Sequence, residues 1–301
     1  MHEFSKAREG MKISAAILGR TTSPGRHEID ARWLMAYAAA LGETAAEYFD
    51  TTRPDGIAAH PLFPVCYEWP LALELRARTL GDTLAIRGVH ATHDLTLHRL
   101  PSSGDHLLTT ARIVAVEQRT PGAYVVSRFE TVDGRGRPVS TTDYGSLYRG
   151  VDCEGVAPRE KDEASSRPPR ERDKTSPADW SATVAISPTL AHVYTECARI
   201  WNPIHTDRAV AHAAGLPDII LHGTATLALA VSAVLNHAPA ASARAVRRIT
   251  CRFSGMVRLP SAITVQGWKP SERGDGNAIR FQVLDVEGRP AVTQGAVILA
   301  R

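Results

Sequence analysis

Apolar side chains recur at helical spacing over residues 29–42, through Ile29, Trp33, Leu34, Tyr37, Ala38 and Leu41, and Gly42 supplies a stop. The spacing predicts a first helix there, a Pro54-Asp55-Gly56 turn, and a second helix from Val65 to Leu80 behind His60-Pro61-Leu62-Phe63-Pro64. From Thr83 the pattern becomes strand-like, with strands expected at Leu84–Leu97, His106–Gln118, Ala123–Val132 and Pro138–Tyr148. The turns between them carry glycine, aspartate or proline, as antiparallel hairpins require: Ser102-Ser103-Gly104-Asp105, Thr120-Pro121-Gly122 and Asp133-Gly134-Arg135-Gly136.

The pattern stops at residues 152–179, where charged, proline and serine residues leave almost nothing to bury; a solvated linker is expected. It then restarts. A helix is expected over Pro188–Ile200, a bend at His205, a short helix over Arg208–Ala214 capped by Asp207 and stopped by Gly215, and a run from Thr224 to Leu235 so apolar that it reads as a helix buried on all sides. Strands are expected at Val246–Val257, Ala262–Lys269, Ala278–Val286 and Ala291–Ala300. Local echoes occur in the same order in both halves: Arg99-Leu100-Pro101-Ser102 with Arg258-Leu259-Pro260-Ser261, and Gly136-Arg137-Pro138 with Gly288-Arg289-Pro290. Tyr37 falls where Tyr194 does and His60 where His222 does, so the sequence reads as a duplication.

Composition changes this picture little. The 301 residues suffice for two domains, and a net charge of +3 with dispersed Lys and Arg gives nucleic-acid binding no support. Cys66, Cys153, Cys197 and Cys251 form neither a CxxC pair nor a framework, which points to reduced thiols in a cytoplasmic protein. The charged start lacks a signal-peptide core, and no apolar run is long enough to span a bilayer, so no membrane association is expected. His60, His90, His93 and His98 have no carboxylate or thiol at ligand spacing; neither a metal nor a cofactor is expected.

The chemistry concentrates between Tyr194 and Leu229. Asn202-Pro203 forces a bend that presents His205, and Leu221-His222-Gly223-Thr224 opens the buried helix. This order, Tyr194, then Asn202-Pro203-Ile204-His205, then Leu221-His222-Gly223, resembles the MaoC-like hydratase/dehydratase family, which includes the (R)-specific 2-enoyl-CoA hydratases. The family pattern, Gly-Asp-x-Asn-Pro-Leu-His, is matched at Asn202, Pro203 and His205, but Ile200 stands where the acid belongs. The resemblance implies an α+β double hotdog, two antiparallel sheets each wrapped around a central helix. It divides the chain into an N-terminal hotdog domain over residues 1–150 without the motif, a linker over 151–179, and a C-terminal MaoC-like domain over 180–301. It also implies hydration of a 2-enoyl-CoA or carrier-bound thioester.

In that reading His205 is the acid/base and Asn202 orients the loop or the water. Gly223 and Thr224, with the positive end of the helix dipole, suit an oxyanion, with His222 and Tyr194 beside the substrate. Loss of the acid leaves two alternatives open, a diverged hotdog enzyme (isomerisation, proton abstraction or intramolecular conjugate addition) and a non-catalytic acyl-thioester binding protein. Glu43, which follows Gly42 as the family acid follows its glycine, reads as a surface helix terminus. Arg247, Arg248 and Arg252 are candidates for CoA phosphates, and a homodimer remains open.

Overall fold

The computed structural model describes residues 11–85, 87–155, 177–238, 242–270 and 276–300. Most of the expected linker, residues 156–176, therefore lies outside the described residues. Where that linker was expected to begin, Asp152–Glu154 instead forms a short strand (β7), paired in parallel with β1, Lys12–Ser14.

The remaining strands form one antiparallel sheet. They are β2 (Gly25–Glu28), β3 (Gly88–Leu97), β4 (His106–Arg119), β5 (Gly122–Asp133) and β6 (Pro138–Arg149) in the first half. In the second they are β8 (Trp180–Ile186), β9 (Val246–Phe253), β10 (Ser261–Trp268), β11 (Ala278–Leu284) and β12 (Pro290–Leu299). Their order across ten strands is β2-β4-β5-β6-β3-β9-β12-β11-β10-β8, which reads the same from either edge once each strand is matched to its counterpart. The two five-stranded sheets implied by the duplication meet at β3 and β9, where Thr92–Thr96 pair with Arg252–Arg248.

The echoes in the sequence mark equivalent places in this arrangement. In the β5–β6 hairpin, Asp133 accepts the amides of Arg135 and Arg137 and the Arg137 guanidinium. In the β11–β12 hairpin, Asp285 does the same for Glu287 and Arg289. Both turns need a left-handed residue, and Gly136 and Gly288 supply it with φ of 77° each.

Two helices pack against the sheet. The first is α3 (Pro64–Thr79), with proline at its first position, and the second is α7 (Gly223–Asn236), buried at every residue from Ala225 to Leu235. The shorter helices are α1 (Ala31–Ala40), α2 (Ala46–Phe49), α4 (Gly81–Ala85), α5 (Leu190–Ala198) and α6 (Arg208–Ala213). Helix α1 is capped by Asp30, whose carboxylate accepts the Trp33 amide at 2.7 Å. It packs on α5, its counterpart, so Trp33, Leu34 and Tyr37 share one apolar core with Ala191, Tyr194 and most of α7. Helix α4 replaces the beginning of the strand expected from Leu84, and β2 and β8 are edge strands that the apolar pattern did not reveal.

Candidate active site

The bend is built as the proline dictates. Asn202 is extended, with φ −132° and ψ 109°, Pro203–His205 form one turn of 3-10 helix, and the His205 amide donates to the Asn202 carbonyl at 3.1 Å. Asp207 then caps α6, accepting the amides of Ala209 and Val210. His205 is thereby driven inward, where it is 8% exposed.

Its orientation is set by one contact. His205 Nδ1 lies 2.8 Å from the Ile220 carbonyl, which can only accept, so Nδ1 carries the proton and Nε2 is a bare acceptor. Burial lowers the imidazole pKa from 6.5 to about 4, partly offset by that hydrogen bond. His205 is therefore neutral at ordinary pH, with a lone pair available on Nε2.

The His205 ring stacks on His222, with centroids 3.7 Å apart and planes inclined by 27°. His222 is the residue before α7, its Nε2 lies 3.2 Å from Thr195 Oγ1, and burial followed by the neighbouring His205 holds its pKa well below the ordinary range. No side chain caps α7, so the amides of Gly223 and Thr224 are left without helical partners beside this pair. Gly223 packs closely: a Cβ there would meet the Phe253 ring at 3.3 Å, and the ring would have to give by a few tenths of an ångström. The Tyr194 hydroxyl donates to Thr224 Oγ1 at 3.1 Å and lies 3.3 Å from the hydroxyl of Tyr37, so the counterpart tyrosines meet on the pseudo-twofold axis.

The structure thus brings together His205, His222, Gly223, Thr224 and Tyr194. Asn202 faces an adjoining cleft of 360 Å³, lined also by His192, Thr195, Glu196, Trp201, Pro203 and Thr206. His205 and Gly223 are not in that lining. Ile200, at the position of the family acid, is buried, and among the described residues no carboxylate pairs with either stacked ring. The residue before it, Arg199, takes the left-handed conformation with φ 58° and closes α5, where the family pattern has glycine. Its guanidinium sits 3.9 Å over the Trp33 ring, contact that holds this loop to the first half.

Two expectations need correction. Glu43 is not a surface terminus: its carboxylate accepts from Ser232 Oγ on α7, and its side chain is 7% exposed. Ser232 Oγ also lies 3.2 Å from Nε2 of the fully buried His60, whose Nδ1 accepts the Leu62 amide. The partner on α7 belongs to the other half of the chain, out of reach of local reading. Arg248, a candidate for phosphate, is held by both oxygens of Asp94 at 2.8 and 2.7 Å, so its charge is already matched.

Residues 172–293 match the MaoC like domain, and residues 16–142 match the FAS1-like dehydratase domain region. Among curated proteins, the chain is 29% identical over 199 residues to the peroxisomal multifunctional enzyme type 2 of Drosophila melanogaster, a match covering 66% of this chain and 32% of that protein. It is 34% identical over 95 residues to an enoyl-CoA hydratase of Mycobacterium tuberculosis, covering 32% and 33% of the two chains. The matches thus span about a third of these relatives' lengths. Among solved structures, a MaoC-like dehydratase from Phytophthora capsici superposes with TM-score 0.82 at 20% identity over 95% of this chain and 96% of that one. A double-hotdog protein of Mycobacterium tuberculosis superposes with TM-score 0.60 at 16% identity, over 93% of this chain and 95% of that one. At these identities the likeness establishes the fold. Among the described residues, no helix is long and apolar enough to cross a membrane.

Proposed function

We propose that this chain, which belongs to the MaoC-like hydratase/dehydratase family and carries a MaoC-like domain behind a FAS1-like dehydratase region, reversibly hydrates a 2-enoyl thioester with His205 as its acid/base. The observation that carries the reading is the tautomer of His205: Nδ1–H is committed to the Ile220 carbonyl, and Nε2 is left to accept a proton beside the free amides of α7.

In the forward direction His205 Nε2 takes a proton from water as the oxygen bonds to the β-carbon. The electron pair of the double bond moves toward the thioester, and the charge on its oxygen is met by the Gly223 and Thr224 amides. The imidazolium then returns its proton to the α-carbon on the same face, giving syn addition and restoring the neutral base. Asn202 holds the bend that presents the base, its backbone carbonyl accepting the His205 amide. The acyl carrier is CoA in this reading, on the strength of the enoyl-CoA hydratase among the relatives.

A second reading is favoured by one specific observation, the buried Ile200 at the family acid's place. One base beside an oxyanion site also suits proton abstraction and isomerisation of the same thioesters. Hydration of crotonyl-CoA by wild type, His205→Ala and Ile200→Asp separates the two. The hydratase reading requires wild-type turnover that falls by about a hundredfold or more in His205→Ala. Hydration by Ile200→Asp alone, with an inactive wild type, would reject it.

A further inference from the structure

A second polar group of residues lies beyond the start of α7. Strand β3 carries a bulge: His90 pairs with Ser146 and Thr92 with Gly145, leaving Ala91 as an extra residue. Thr92 Oγ1 is turned to the outer face, 2.6 Å from the Tyr124 hydroxyl. The extra residue brings His90 and His93 onto the same inner face, although they are three positions apart, and their ring centroids are 5.5 Å apart. Both rings pack on Tyr144, at 4.6 and 5.0 Å. The Tyr144 hydroxyl faces Glu68 on α3, whose Oε1 accepts from Thr142 at 2.6 Å.

These are enclosed side chains with unmet hydrogen-bonding capacity. His90 Nε2 and both ring nitrogens of His93 have no protein partner, and His93 is 1% exposed, while the fully buried Glu68 is met only by Thr142 and the Tyr144 hydroxyl. Buried polar atoms are ordinarily paired, so several together call for an explanation. Burial pushes the Glu68 carboxyl up to about 8 and the His90 imidazole down to about 4, so the group is uncharged near neutrality and offers donors and acceptors together. Among the described residues no set of three His, Cys, Asp or Glu side chains is placed to hold a metal ion. Phe253 links this group to the α7 terminus: its ring is 4.7 Å from His90 and lies against Gly223.

From this geometry we infer that Glu68, His90 and His93 form a subsite for a hydroxyl group on the acyl chain, entered past Phe253, so that the substrate is a hydroxylated acyl thioester. The inference rests on the thioester being held at Gly223 and Thr224. A hydroxyl both donates and accepts, as this group requires; a plain hydrocarbon tail would leave the histidine nitrogens unmet.

The test compares trans-2-decenoyl-CoA with a set of the same ester bearing one hydroxyl at successive tail carbons. Wild type is expected to prefer at least one hydroxylated ester by about tenfold or more in kcat/KM. In His93→Leu and in His90→Phe that preference should collapse to within about twofold. The preference is a ratio, so partial misfolding of a variant does not alter it. Calorimetric binding of saturated decanoyl-CoA and its hydroxylated forms gives a second readout independent of turnover. Turnover or binding without a preference for any hydroxylated form, or a preference that survives both substitutions, overturns the subsite. Absence of turnover with preferential, His93-dependent binding of a hydroxylated ligand leaves the subsite standing and removes the hydratase reading instead.

Discussion

At the scale of single residues, the Ile220 carbonyl and burial together decide what His205 can do. The first fixes its proton on Nδ1, and the second lowers its pKa to about 4. Protonation of the free imidazole removes the base, so the acid limb of kcat/KM is expected near pH 4 instead of at the 6.5 of an ordinary histidine. A pH profile of crotonyl-CoA hydration checks this, and a limb that stays near the ordinary value would show that another group titrates. At position 200 the expected gain is opposite in kind. Ile200→Asp places a carboxylate beside the motif and should raise the hydration rate by about tenfold or more, measured under the same conditions.

At the scale of elements, the polar contacts between halves are worth measuring. Ser232 joins α7 to Glu43 and His60, and Ser232→Ala should cost about 1–3 kcal/mol in urea unfolding, because it strands two enclosed polar partners. Asp207→Ala should cost about 1 kcal/mol by uncapping α6, with little effect on the rest of the chain. The helices that carry the site were legible in the sequence because their apolar spacing and caps are local: α1, α5, α6 and α7 lie within a few residues of the expected bounds. Strand β2, Gly-Arg-His-Glu, has no apolar side chain to betray it and owes its form to pairing with β4. The polar role of Glu43 was hidden for a similar reason, since Ser232 is 189 positions away. The bulge that gathers His90 and His93 also escaped, because alternation along β3 assigns them to opposite faces.

At the scale of the whole molecule, the enclosed histidines make stability depend on acidity. Burial lowers His60 to about 3 and His90 and His205 to about 4, below the 6.5 of the unfolded chain. Between those values the unfolded chain binds more protons, so stability should fall as pH drops below 6.5 toward 4. Glu68, raised from 4.5 to about 8, acts in the other direction: the folded chain holds its proton over that interval, and stability is lost as pH rises through it. Thermal unfolding followed across this range should show the steeper loss on the acid side, where several histidines act together. The seam between β3 and β9 has a genetic consequence as well. In an assembly of identical copies, each mutation is inherited by both partners at once; in a fused pair it strikes one side only. Ile200 on one side and Glu43 on the other can therefore differ without either change being imposed on both halves.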